Sequence, residues 1–191
     1  MKILLINNGE VLSDKLQKAL QIKHTVDVID WKKDEVGDEN KYDLIILAGG
    51  HADPVVGNDK MLKSEMDLIK RTKKPLLGIS YGCELVAFVF GGHLEKLEPA
   101  RKGNVDVNVV EPDPLFADCR HFKAFENERW VITDVSHDLQ PLAFSSFGIE
   151  ALKHVSRPIY GLQFDPEAFE EAASGEKILS NYFKILESSV A

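Results

Sequence analysis

Two short stretches hold the side chains most able to do chemistry. Gly78-Ile-Ser-Tyr-Gly82 sets one hydroxyl, Ser80, between an apolar run and a helical segment. Ile159-Tyr-Gly-Leu-Gln-Phe-Asp-Pro-Glu167 sets two carboxylates, Asp165 and Glu167, at the end of another apolar run. A hydroxyl on a sharp strand-to-helix turn, flanked by small residues, has the form of a nucleophile elbow. The next N–H and the helix N-terminus then face a developing oxyanion. Such a site attacks a carbonyl, and a serine needs a base beside it to do so. A carboxylate of ordinary pKa, about 3.9, is a weak proton acceptor at neutral pH. Two carboxylates side by side repel or share a proton. The residues offer a nucleophile's geometry without an evident base.

Other groups could substitute. His51 follows Gly49-Gly50 and reads either as a replacement base for Ser80 or Cys83, or more simply as a loop histidine at a pocket rim. Cys83 lies one helical turn beyond Ser80 and reads as a relocated nucleophile or, more simply, as a packing thiol. His51, Asp53, Glu84, Asp165 and Glu167 could together face a cation, but no local spacing such as His-x-x-x-His supports a metal. No metal and no cofactor are assigned. Glu167 reads equally well as an acceptor capping the segment after it.

The elements that must position these groups follow from periodicity. Lys2–Asn7, Tyr42–Ala48 and Pro75–Ile79 are short apolar runs, as buried parallel strands require. His24–Asp30 alternates like a strand. Helical patterns follow Ser13 and cover Asp59–Lys70, Glu84–Phe90 and Glu170–Leu186, the last with Gly175 as an interruption. Lys32–Lys41 is a charged connection. The second half suggests short strands at His93–Leu97, Asn104–Val110, His121–Phe125, Trp130–Val135, Ala143–Ser146, Ile149–His154 and Pro158–Phe164. Alternating strands and helices in the first half predict a parallel sheet covered by helices.

The sequence resembles the class I, triad-type glutamine amidotransferases over nearly its full length. Ala48-Gly-Gly-His-Ala-Asp-Pro54 is similar to the family's Gly-Gly-Pro oxyanion strand. Gly78-Ile-Ser-Tyr-Gly-Cys-Glu84 is similar to its elbow, Gly-Ile-Cys-x-Gly-x-Gln. Pro158-Ile-Tyr-Gly-Leu-Gln-Phe-Asp-Pro-Glu167 is similar to its Pro-Ile-Tyr-Gly-Val-Gln-Phe-His-Pro-Glu block. Phe90-Gly-Gly92 matches the end of the helix after the elbow, and Asp113-Pro-Leu-Phe116 resembles the separate glutaminase subunit of GMP synthases. The resemblance implies a Cys nucleophile slot at Ser80, a His base slot at Asp165 and an orienting carboxylate at Glu167. It implies oxyanion-hole amides at Gly50 and Tyr81, and pocket residues at His51, Cys83 and Glu84. Glu84 replaces the family's glutamine, and Phe125-Glu-Asn-Glu-Arg129 lies where relatives usually carry a Ser-His contact.

The resulting expectations are specific. The fold is α/β, a flavodoxin-like three-layer sandwich whose central sheet is mostly parallel with a small antiparallel addition, in one domain over residues 1–191. The function is a glutaminase-deficient binding or regulatory subunit with a synthetase partner that uses ATP. The alternative is an active amidotransferase or hydrolase using Ser80 or Cys83 with His51. With 31 acidic and 23 basic residues the formal net charge is -8, which opposes nucleic-acid binding. No apolar run reaches the roughly 20 residues of a membrane span. The two cysteines, Cys83 and Cys119, fit neither a disulfide framework nor a zinc spacing, so a reducing, cytoplasmic setting is expected. The ligand is left open.

Overall fold

The computed structural model describes residues 1–9, 12–31, 36–50, 53–168 and 174–188. His51 lies outside these residues, as do part of the charged connection and the expected start of the last helix. Five strands run parallel in the order β2-β1-β3-β4-β9: β1 (Lys2–Asn7), β2 (Thr25–Asp30), β3 (Leu44–Leu47), β4 (Leu76–Ile79) and β9 (Ile159–Leu162). All four residues of β3 are buried, as are Ile3 to Ile6 of β1. A strand apolar on both faces must be covered on both. Helices α1 (Leu12–Gln21) and α4 (Gly175–Ser188) cover one face, where Leu16, Leu20, Ile178 and Tyr182 pack on Ile3, Leu5 and Ile46. Helices α2 (Lys63–Arg71) and α3 (Tyr81–Val89) cover the other, where Met66, Ile69 and Val86 pack on Leu4, Ile45 and Leu47.

The rest of the sheet is antiparallel: β5 (His93–Val109), β6 (His121–Asp134), β7 (Leu139–Phe144) and β8 (Ile149–His154). Strand β8 joins the two parts through β9. It also pairs with β6 and β7, while β5 pairs with β6 and β7, so these four strands close on themselves. The sheet is therefore not mostly parallel with a small addition. Its antiparallel part is a closed ring with two long strands, and the sandwich describes only the other half.

The difference has a physical cause. Four expected short strands are two continuous ones. On β5, pairing shifts between Lys96 and Arg101 and then resumes through Asn108. Pro99, which has no N–H to give a ladder, falls in that shift. On β6, Glu126 and Glu128 interrupt the apolar alternation, yet both stay on the buried face with Phe122 and Ala124. Smaller corrections follow the same logic. Helix α3 starts directly at Tyr81 rather than Glu84, and α2 starts at Lys63 rather than Asp59. Gly175 does not interrupt α4 but opens it, packed so closely on Pro166 that a Cβ there would lie 2.6 Å from its Cα. Among the described residues no helix is long and apolar enough to cross a membrane.

The three adjacent parallel strands β3, β4 and β9 end at the same edge. That edge carries Gly50, Ser80 and Asp165 on the segments that leave the strands, the usual place for a site in an open α/β sheet.

Candidate functional site

Ser80 sits between β4 and α3 with φ 51° and ψ -113°, a region that a non-glycine residue enters only under strain. Its backbone is held at both ends. The Ser80 N–H donates to the Leu162 carbonyl of β9 at 2.7 Å, and its own carbonyl accepts from Cys83 N–H (2.8 Å) and Glu84 N–H (3.1 Å). The turn is possible because its flanks are bare. A Cβ on Gly82 would collide with the Leu47 carbonyl oxygen, and one on Gly78 would collide with the Gly82 oxygen. Tyr81 is the first residue of α3, so its N–H belongs to the orphan donors of a helix start. Gly50 presses on Asn8, whose amide donates to the Ala48 carbonyl at 3.0 Å and holds that strand end.

The Ser80 side chain is 1% exposed, and its hydroxyl has no hydrogen-bond partner among the described residues. No base among them therefore holds the proton that a serine nucleophile must lose. Asp165 and Glu167 are buried on the turn after β9, where Asp165 N–H donates to the Phe125 carbonyl at 2.9 Å and Ala168 N–H to the Asp165 carbonyl at 3.2 Å.

A cavity of about 200 Å³ opens beside the elbow. Gly50 and Asp53 form one wall, Tyr81 and Glu84 of α3 another, and Lys96, Glu128 and Trp130 of the antiparallel strands close it. Ser80, Asp165 and Glu167 are not among its lining residues. Two larger grooves, about 930 and 650 Å³, flank α4 and hold none of the elbow residues.

The family model for Glutamine amidotransferase class-I matches residues 4–186. The chain belongs to this family. A glutamine-hydrolyzing GMP synthase subunit from Methanosphaera stadtmanae is 29% identical, over 98% of this chain and 100% of the relative. Its counterpart from Methanothrix thermoacetophila is 30% identical, over 97% and 98%. Among solved structures, a putative GMP synthase subunit from Thermoplasma acidophilum superposes with a TM-score of 0.85 at 25% identity, over 99% of this chain and 95% of that one. The chain is thus an amidotransferase-family member similar to the glutamine-hydrolyzing subunits of GMP synthases.

Within this amidotransferase scaffold Cys83 is sealed. Its thiol is fully buried, and a Cβ on Gly161 of β9 would lie 2.6 Å from its sulfur. Burial, followed by the charges of Glu84, Glu150 and Glu128, pushes the thiol pKa well up, the opposite of what a reactive cysteine needs. The structure makes Cys83 a packing residue rather than a nucleophile. His51, the other half of that reading, lies outside the described residues.

Sequence reasoning missed Gln163 and the orientation of Glu128. The Gln163 amide donates to Glu84 Oε1 at 3.3 Å and to the Trp130 carbonyl at 3.4 Å, tying β9, α3 and β6 together behind the cavity. A glutamine in an otherwise apolar strand end was itself a signal, because a buried amide needs partners. Behind Glu128 lies a second buried ionic group: Arg101 pairs with Glu126, stacks 3.7 Å over the Phe147 ring, and lies near Glu150, whose other neighbour is the Ser145 hydroxyl.

Proposed function

We propose that this chain is a class I amidotransferase-family protein without glutaminase activity, acting as a binding or regulatory subunit of a synthetase. The observation that carries the reading is the Ser80 hydroxyl, which is buried and without a hydrogen-bond partner among the described residues. It occupies the position of the family's nucleophile, and a carboxylate, Asp165, occupies the position of its base. Glu167 follows at the orienting position, with Gly50 and Tyr81 at the oxyanion-hole positions. Two buried carboxylates in these slots favour sharing a proton over accepting one from serine. The cavity beside the elbow gives the protein something to bind with, even where the attacking group is withdrawn. We read residues 1–191 as one domain, a flavodoxin-like sandwich extended by the antiparallel ring. The similarity to proteins named as glutamine-hydrolyzing subunits of GMP synthase supports a partner that is an ATP-dependent synthetase.

The competing reading is hydrolysis by Ser80 or Cys83 with His51 as base. The sealed, high-pKa thiol of Cys83 counts against half of it. A glutaminase assay with and without a candidate synthetase decides the matter. The expected result is no turnover above background in either case. Turnover that disappears in Ser80→Ala or Cys83→Ala sinks the proposal.

A further inference from the structure

The cavity beside the elbow is acidic along its inner wall. Asp53, Glu84 and Glu128 all line it, and the last two are 3% and 2% exposed. The basic lining residues stand at the outer edge. Arg129 is exposed, and Lys96 Nζ lies 2.6 Å from Glu98 Oε1 outside the cavity. Charge is therefore graded, negative within and positive at the rim. Carboxylates kept out of water favour a cation among them.

A second feature points to a ligand. Tyr81 lines the same cavity and is 5% exposed, yet its hydroxyl is buried and has no hydrogen-bond partner among the described residues. Burial and the charges of Glu65, Glu84 and Asp53 hold the phenol in its protonated form, which places the hydroxyl close to the acidic wall. A buried hydroxyl left without a partner costs about 1–3 kcal/mol, and its lone pairs can accept an N–H. Among the described residues no three His, Cys, Asp or Glu side chains converge as metal ligands. The carboxylates are spread along the wall, which suits an organic cation of several atoms better than a bare ion. The volume, about 200 Å³, is below the roughly 300–1,000 Å³ of pockets for drug-sized ligands.

We propose that this cavity binds a small alkylammonium ligand, with its N–H groups shared among the Glu84, Glu128 and Asp53 carboxylates and the Tyr81 hydroxyl. The inference rests on the chain's being a binding subunit; it supplies the class of ligand. Glutamine carries its own carboxylate, which such a wall repels. An amine without one is accepted.

Isothermal titration with n-butylamine and putrescine tests this, with n-butanol and L-glutamine as comparators. Saturable binding of the amines and none of n-butanol is expected. Glu84→Gln and Glu128→Gln should each weaken amine binding at least about tenfold, the loss of one charge-assisted hydrogen bond. Glu187→Gln on α4 should leave it unchanged. Asp53→Asn, at a half-buried position, keeps the test open if a buried variant fails to fold. No saturable amine binding by folded protein overturns the proposal, as does equal binding of n-butanol or amine affinity untouched by Glu84→Gln and Asp53→Asn. Glutaminase turnover measured in parallel separates the two readings. Turnover with amine binding refutes the lack of activity alone, and neither turnover nor amine binding refutes the ligand class alone.

Discussion

Glu65 gives the sharpest quantitative test of the region beneath the site. It lies on α2 and is buried next to Asn8 and Tyr81, and neither carboxylate oxygen has a hydrogen-bond partner among the described residues. Burial pushes its pKa from 4.5 up to about 7, with the Asn8 side chain acting weakly in the opposite sense. Below pH 4.5 both folded and unfolded chains hold the proton, and the group contributes no pH dependence. Between 4.5 and about 7 the unfolded chain ionises while the folded one does not, so stability is lost as pH rises. Above the folded pKa the loss stops growing. At about 1.4 kcal/mol per pH unit, the gap between 4.5 and about 7 amounts to about 3 kcal/mol in total, of which roughly 2–3 kcal/mol falls between pH 5 and pH 8. Glu65→Gln keeps the shape and cannot ionise. Urea unfolding followed by circular dichroism at pH 5 to 8 should show the variant gaining on the parent by that amount as pH rises. Glu150, also pushed up to about 7 by burial, adds to the pH dependence of both proteins and cancels in the difference. A difference that stays constant from pH 5 to pH 8 refutes the assignment of a protonated, desolvated Glu65.

Two further substitutions test the elbow and its packing by the same unfolding measurement. Ser80→Gly should stabilise the protein by about 1 kcal/mol, because relief of a strained backbone worth about 1–3 kcal/mol outweighs the extra freedom glycine gives the unfolded chain; destabilisation would show that the elbow is unstrained. Gly161→Ala should cost about 1–3 kcal/mol by driving a methyl into the Cys83 sulfur. Combining it with Cys83→Ala should recover part of that loss, and strict additivity would show that the two side chains do not meet.

Much of this site is legible because its chemistry is local in sequence. The elbow is written in five consecutive residues, and β3, β4 and β9 read as buried strands because each is apolar throughout. What stays hidden depends on distant pairing. The β5–β6 ladder is unreadable because Pro99, Glu126 and Glu128 break the pattern that marks a strand, and the burial of those glutamates is decided by Arg101 on the neighbouring strand. The link from Gln163 to Glu84 spans elements that meet only in the folded chain. Gly175 reads as a breaker in the sequence, whereas its role in the fold is contact with Pro166.

This division bears on how far the elbow can be read as a sign of catalysis. Strain at a residue persists only where its surroundings over-determine it. Here the surroundings are Leu47 against Gly82, Gly82 against Gly78 and the Leu162 carbonyl on the Ser80 N–H, all of them contacts between β3, β4, β9 and α3. None of them involves the Ser80 hydroxyl. The packing that holds the sheet to α3 is thus sufficient to keep the turn, whatever side chain it presents. Backbone geometry at residue 80 reports the scaffold. The chemistry must be read from the side chains at 80 and 165, which supply a sealed hydroxyl and a carboxylate, and from the acidic cavity next to them.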